Sequence, residues 1–224
     1  MPIFDETVVV DTGSVDKSRE VARSFGATVV EFPWCDDFSA ARNMALTQCA
    51  CDSVFWMDAD ELLSRPSRER LARLLRHGVD QDTVYLMDQV SNRLDGSLGF
   101  IEAPSPRLFA NRRGIRWSGR VYERIVPSLR AAGLKFIAVN ISMTHGGFAQ
   151  ASSAVGKLSR NKRLLEIELA DDAGDPRVLL NLALTHSLIG RFTAHPDEFK
   201  AAQLDLERRA LLDEIRHLRE GSPE

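Results

Sequence analysis

Over residues 7–78 the hydrophobic period keeps switching between two and 3.6, and nothing else in the chain constrains its fold as much. "TVVVD" (7–11), "ATVVEF" (27–32) and "SVFWMD" (53–58) are short apolar runs rich in β-branched or aromatic residues, the pattern of buried strands. The segments between and after them have helical spacing. "VDKSREVARSF" (15–25) places Val15, Val21, Ala22 and Phe25 on one face and is followed by Gly26 as a stop. "DDFSAARNMALTQ" (36–48) opens on an acid pair and repeats Phe38, Ala41, Ala45 and Leu46. "SRPSRERLARLLRHG" (64–78) offers Ser64 as N-cap, Pro66 in the first turn and Gly78 after the end. Strands alternating with helices are joined by crossovers, so the spacing predicts parallel strands in an α/β sheet. Ligands of such sheets collect at the carboxyl ends of the strands, and Asp11 and Asp58 each stand at one.

From about residue 83 the pattern changes. "TVYLMDQVSNRLDGSLGFIEAPSPRLF" has an Asp-Gly turn between β-rich runs and predicts antiparallel strands. "GIRWSGRVYERIV" and "LKFIAVNISMTHGGF" read as further short strands or loops. After Phe148 the chain is helical. "KLSRNKRLLEIEL" predicts one helix, and "DPRVLLNLALTHSLIG" a second with Asp175 as N-cap, Pro176 in the first turn and Gly190 at the end. "HPDEFKAAQLDLERRALLDEIRHLRE" predicts a third. The expected division is a domain over 1–150 and a helical extension over 151–224, whose "NLALTHSLIGRF" followed by Ala201 and Ala202 has the spacing of one tetratricopeptide-like hairpin.

Composition removes several classes. The 224 residues suffice for one full core with a small extension. A net charge of −3 makes no electrostatic case for nucleic acid as a partner. No apolar run approaches the ~20 residues of a membrane span. The start "MPIFDETVVVDTGS" carries acids and no basic region, unlike a signal peptide. The odd cysteine count, Cys35, Cys49 and Cys51, argues for reduced thiols and a cytoplasmic location.

The chemistry concentrates in a few phrases. In "VFWMDADE" (54–61), Asp58, Asp60 and Glu61 crowd the end of an apolar run. Their mutual repulsion is relieved by a cation, and hard oxygen donors suit Mg²⁺ or Mn²⁺ bridged to phosphate. The alternative is a solvated turn that caps the next helix. "VVVDTGS" admits an aspartic-protease reading, which needs an all-β fold and two such loops. It also admits a strand-end Asp11 that accepts hydrogen bonds from a ligand, with Gly13 turning the chain and Ser14 capping the next helix. In "DDFSAARN", Arg42 and Asn43 follow the acid pair; these polar residues suit either a site or a solvated helix face. His145 precedes two glycines, as a structural histidine or a third metal ligand. Glu123 lies between Arg120 and Arg124, as a surface ion pair or a catalytic carboxylate.

Taken in order, "VVVDTGS", "FPWCDDFSAARN", "VFWMDADE", "PRLFANRRGIRWSGRVYERI", "THGGF" and "KLSRNKRLLEIEL" resemble the family 2 glycosyltransferases of GT-A fold, in the bacterial group that carries tetratricopeptide repeats after the catalytic domain. The resemblance covers about residues 5–190 and implies a mixed α/β sheet flanked by helices. It implies that Asp58 and Asp60 hold Mg²⁺ or Mn²⁺ on a nucleotide-diphospho-sugar, Asp58 contacting the donor as well, and that His145 completes the metal site. Asp11 would contact the nucleoside, and Arg42 the base or phosphate. Glu123 would be the base in an inverting transfer to an unknown acceptor, with Asp88 and Glu102 as the next candidates. Two departures stand out. Tyr122 occupies a place where the family writes His, and the strand–helix unit that usually precedes "VVVDTGS" is absent. The second departure makes strand 7–11 a sheet edge, with self-association as the expected consequence. A homologue that binds without transferring sugar is the alternative function.

Overall fold

The computed structural model describes residues 3–92, 98–145 and 151–194. The alternation at the start is observed. β1 (Val8–Asp11), α1 (Ser18–Ser24), β2 (Thr28–Glu31), α2 (Phe38–Gln48) and β3 (Ser53–Phe55) follow one another. After them come β4 (Glu61–Leu63), α3 (Arg65–His77), β5 (Thr83–Asn92), β6 (Leu98–Ala110), α4 (Val126–Ala131), β7 (Lys135–His145), α5 (Ala151–Asp171) and α6 (Pro176–Ala194).

The strands form two sheets. β1 and β2 are parallel, with Val8 opposite Thr28 and Asp11 opposite Glu31. The second sheet has the order β3-β6-β5-β7-β4. β3 does not extend the parallel pair, as the alternation alone predicts. It runs antiparallel to β6, with Val54 opposite Phe109. Parallel pairing (β1–β2) and antiparallel pairing (β3–β6, β4–β7) thus both occur, with helices between the strands in an α/β chain.

Two compact units make up the chain. The first contains Met1–Trp56, Leu71–Leu86 and Pro106–Ile137; the second contains Met57–Arg70, Met87–Ser105 and the chain from Ala138 onward. In the first unit, Val54, Val84, Phe109, Ile115, Trp117, Ile125, Leu129 and Leu134 form one core, with Leu46, Cys49 and Trp56 packed on its margin. Removing each such side chain from water contributes roughly 1.5–3 kcal/mol, so this cluster sets the frame on which the nearby polar groups are held. In the second unit Met87, Ile141 and Met143 are buried, and Leu158 of α5 packs on Leu188 and Ile189 of α6.

Local signals place the helix ends well. The Asp37 carboxylate accepts the Ala40 N–H at 3.0 Å, the N-cap of α2. The Ser64 hydroxyl accepts the Ser67 N–H at 3.3 Å ahead of α3. Asp175 accepts the Arg177 N–H at 2.8 Å at the start of α6. Gly26 and Gly78 follow α1 and α3 with φ of 84° and 90°, a backbone that side chains rarely adopt.

Other expectations fail for identifiable reasons. The apolar face of 15–25 is not buried. Val15 precedes the helix, Phe25 is its C-cap, and both are almost fully exposed. Gly190 does not end α6, which continues to Ala194, because a glycine lowers helix propensity without breaking the hydrogen-bond ladder. α4 fills most of the stretch between the two segments read as short strands or loops, where no element was expected; Pro127 in its first turn was the available signal. The Asp-Gly turn at 95–96 and the helix expected after residue 195 lie outside the described residues. Among the described residues no helix is long and apolar enough to cross a membrane.

Candidate functional site: a carboxylate turn and a guanidinium–indole assembly

In the second unit, Asp58, Ala59, Asp60 and Glu61 form a tight turn closed by the Glu61 N–H donating to the Asp58 carbonyl at 3.1 Å. Glu61 then enters β4. Its carboxylate is buried and accepts the Asp58 N–H at 2.8 Å. Glu61 therefore differs in role from its neighbours: it braces the turn from inside. Asp58 is half-buried and Asp60 exposed. β4 pairs antiparallel with β7, and the register sets Glu61 opposite His145. Directly opposed residues in such a ladder have Cα atoms about 4.5–5.5 Å apart. The backbone at His145 thus adjoins the end of the carboxylate turn; its side chain lies outside the described residues.

The donor set fits a hard cation of modest protein coordination. Among the described residues no three His, Cys, Asp or Glu side chains form a ready cage. Mg²⁺ does not require one, since it is commonly held by one or two carboxylates and substrate phosphates. Beside Glu61, Asp58 and Asp60 are the other two carboxylates of the turn.

In the first unit, α2 carries the second set. The Arg42 Nε donates to Glu123 Oε1 at 2.6 Å, joining two residues that are 81 apart in sequence. The Arg42 guanidinium also lies 4.5 Å from the ring centre of Trp56 and 4.8 Å from that of Trp117. The two indoles meet edge to face at 4.8 Å. Trp56 is fixed further, because its Nε1 donates to the Pro106 carbonyl at 2.6 Å and the Arg107 guanidinium lies 3.8 Å from its ring centre. Arg107 is 1% exposed. A cation on an indole face contributes ~0.5–1 kcal/mol in water and more when desolvated. Glu123 is thus not held by Arg120 and Arg124, its sequence neighbours, but by an arginine on a helix whose own position two tryptophans fix.

Asn43 explains the approach of α2 to this loop. Its Oδ1 accepts the Trp117 N–H at 2.8 Å and its Nδ2 donates to the Trp117 carbonyl at 3.0 Å. The Phe38 N–H donates to the Arg120 carbonyl at 2.9 Å. The loop itself is pinched by the Ser118–Arg124 bridge, inside which Tyr122 takes a positive φ of 52°. Such a backbone costs a residue with a Cβ about 1 kcal/mol or more. It presents Glu123 on a short, closed segment.

Asp11 belongs to the first unit. It is buried at the end of β1 and accepts the N–H groups of Gly13 at 3.3 Å and Ser14 at 3.2 Å. The Ser14 side chain holds its carboxyl below the usual carboxylate range. Burial opposes this, and the Ser14 and Gly13 amides and Arg19 assist. Arg19 bridges Asp11 at 3.9 Å and Glu31 at 3.4 Å, so it braces the β1–β2 pair. Asp88 of β5 lacks such help, and burial pushes its carboxyl up. Glu102 lies outside the residues whose side chains are described.

The sequence pointed to Asp58, Asp60, Arg42, Asn43 and Glu123 but not to roles for Trp56, Trp117 and Arg107 or to the inward turn of Glu61. Trp56 lies inside "VFWMDADE", and Arg107 and Trp117 lie inside "PRLFANRRGIRWSGRVYERI". An aromatic next to a strand-end acid reads as core until its arginine partner, 14 or 51 residues away, is placed.

Residues 2–114 match the family described as Glycosyl transferase family 2, half of the chain, and the protein belongs to that family. Across the full length it is 29% identical over 228 residues to a TPR repeat-containing protein of Synechococcus elongatus, covering 98% of this chain and 51% of that protein. It is 25% identical over 181 residues to the SPbeta prophage-derived glycosyltransferase SunS of Bacillus subtilis, covering 79% of this chain and 42% of SunS. The chain thus spans about half the length of the curated relatives it matches. Among solved structures it overlaps residues 1–349 of S. aureus TarS with a TM-score of 0.47 and 15% identity, covering 85% of this chain and 65% of that one. The strand-end "DTGS" phrase, parallel-paired and followed by a helix, belongs to this α/β family and not to an all-β protease.

Proposed function

We propose that the chain is the catalytic part of a metal-dependent, inverting glycosyltransferase, which moves a sugar from a nucleotide-diphospho-sugar to an acceptor. The observation that carries this reading is the braced turn of Asp58 and Asp60, with Glu61 withdrawn to hold it and His145 opposite in register. In a family 2 glycosyltransferase, that arrangement suits a Mg²⁺- or Mn²⁺-diphosphate.

Asp58 and Asp60, with His145, would hold the cation. When bound there, a divalent ion supplies positive charge to the departing diphosphate. Asp11 would bind the nucleoside through whatever capacity its carboxylate keeps beyond the Gly13 and Ser14 amides. Glu123 would take the acceptor's proton. Its Oε1 is committed to Arg42, so the proton is accepted at the other oxygen, and the Arg42 contact sets which way that oxygen points. General-base assistance of this kind is typically worth ~10²–10⁴-fold in rate.

The test is release of nucleoside diphosphate from a panel of nucleotide-sugars, with Mn²⁺ or with chelator. The expected result is metal-dependent release, reduced by ~10²-fold or more in Glu123→Gln while donor affinity changes little. Release that ignores both chelation and Glu123→Gln contradicts the mechanism. Donor binding without release in any condition points instead to a non-catalytic binding module.

A further inference from the structure

Arg107 is out of character with its strand. In β6 it precedes Leu108, Phe109 and Ala110, each at most 1% exposed, and is itself as deeply buried. Burying a guanidinium is costly, and well-packed apolar side chains often replace buried charged groups without loss of stability. A leucine would be the ordinary choice at such a position. The cation therefore needs a reason other than filling the core.

Its neighbours supply one. β3 pairs with β6 with Phe55 opposite Leu108, and the Trp56 N–H donates to the Arg107 carbonyl at 3.1 Å, so Trp56 and Arg107 are the next cross-strand pair. The Arg107 guanidinium lies 3.8 Å from the Trp56 ring centre, nearer than Arg42 at 4.5 Å from the same ring. The indole is also held at its edge, where Nε1 donates to the Pro106 carbonyl at 2.6 Å. One hydrogen bond at an edge leaves a ring able to tilt about it, and a cation over the face opposes that tilt. Trp56 meets Trp117 edge to face, and the Arg42 guanidinium contacts both rings while its Nε donates to Glu123. Arg107, Trp56, Arg42 and Glu123 thus form one chain of contacts, all within the first unit.

We propose that Arg107 is a positioning residue for sugar transfer: it holds the Trp56 indole, which seats Arg42, which aims the Glu123 carboxylate. The proposal rests on the reading of Glu123 as the base. A tilt of the indole shifts Arg42, and with it the Glu123 oxygen that takes the acceptor's proton. Misplacing a catalytic group by about 1 Å can cost ~10²-fold in rate, even when the change lies away from the chemistry.

Two measurements on the full chain test it together. The first is NMR with isotope-labelled arginine, following the Arg42 Nε–H, which is assigned by its loss in Arg42→Lys. Held to Glu123 at 2.6 Å, this proton should exchange slowly with water. In Arg107→Met the signal should move and exchange about tenfold faster, as expected when a desolvated cation–indole contact is lost. Arg107→Lys keeps the charge without the flat face and should restore part of the protection. The second is the rate of nucleoside diphosphate release. Arg107→Met should lower kcat by about ten- to a hundredfold with the donor KM nearly unchanged, and Arg107→Lys should recover part of the loss. An arginine that only fills the core would change the melting temperature and leave both the Arg42 signal and the kcat of the folded protein as they are, which overturns the proposal. A raised donor KM with kcat intact also overturns it, making Arg107 a donor-binding group. Glu123→Gln separates the two readings: if it keeps the wild-type rate, the base reading fails, while the Arg42 signal in Arg107→Met still shows whether the contacts run as proposed. Should circular dichroism show Arg107→Met unfolded, Trp56→Phe, which keeps a ring but loses the Pro106 bond, should show the same faster exchange and lower kcat, and an unchanged signal there overturns the proposal.

Discussion

Arg42 and Glu123 make the most exacting prediction, because several separate contacts converge on one guanidinium. Arg42→Ala removes a 2.6 Å charged hydrogen bond and two indole contacts at 4.5 and 4.8 Å. A hydrogen bond to a charged group contributes about 1.5–3 kcal/mol. Each indole contact adds about 0.5–1 kcal/mol. The side chains of Arg42 and Glu123 are 23% and 13% exposed, so some solvent screening is retained and the sum falls to about 3 kcal/mol. For a chain of this size, that lowers the melting temperature by about 6–12 °C. Arg42→Lys keeps the charge but loses the flat face and the Nε–H, and should recover only part of the loss. The decisive assay is a double-mutant cycle by urea unfolding of wild type, Arg42→Ala, Glu123→Gln and the double variant. A coupling of about 2 kcal/mol is expected. Additivity to within about 0.5 kcal/mol would refute the claim that Arg42 holds Glu123, leaving the arginine as packing for the tryptophans.

Three other outcomes follow from the same geometry. Glu61→Ala leaves the Asp58 N–H without its partner and should destabilise the protein by about 1–3 kcal/mol in urea unfolding, whereas Glu61→Gln, whose amide oxygen can still accept, should recover most of this. Asp11 has a native carboxyl held low, so its contribution is present above about pH 4 and disappears as pH falls through the native value; unfolding curves of wild type and Asp11→Asn should differ at neutral pH and converge in acid. Asp88 has the opposite sign. Its native carboxyl is raised, so ionisation opposes folding above about pH 4, and Asp88→Asn should stabilise the protein at neutral pH with no difference in acid.

The sequence made legible what depends on local chemistry. Asp37, Ser64 and Asp175 cap helices where their short polar side chains precede an amphipathic run, and Gly26 and Gly78 stop helices through φ values that side chains avoid. The candidate acids were legible because carboxylates at strand ends are conspicuous. What depended on long-range pairing was not. Nothing local in "SVFWMD" says that β3 takes an antiparallel partner 55 residues downstream, as Val54 does with Phe109. The face of Val15 and Phe25 was misread because spacing reports a period and not whether anything packs against it. The pairing of Arg42 with Glu123 was not legible, since the two are distant in sequence and the Trp56–Trp117 corner that receives the guanidinium exists only in the fold. Glu61 was legible only as one of three crowded acids; that its carboxylate accepts the Asp58 N–H depends on β4 turning it inward.

The central claim is that Asp58 and Asp60 form a divalent-metal and diphosphate site, and isothermal calorimetry with Mn²⁺ and uridine diphosphate tests it most directly. Wild type should bind the diphosphate with Mn²⁺ and much more weakly with chelator present. Asp60→Asn is exposed and outside the core, so it should fold normally yet lose the metal-dependent part of the affinity, by about tenfold or more, or ~1.4 kcal/mol. Asp58→Asn should behave in the same way. Equal binding by all three proteins, or binding indifferent to Mn²⁺, would contradict the account.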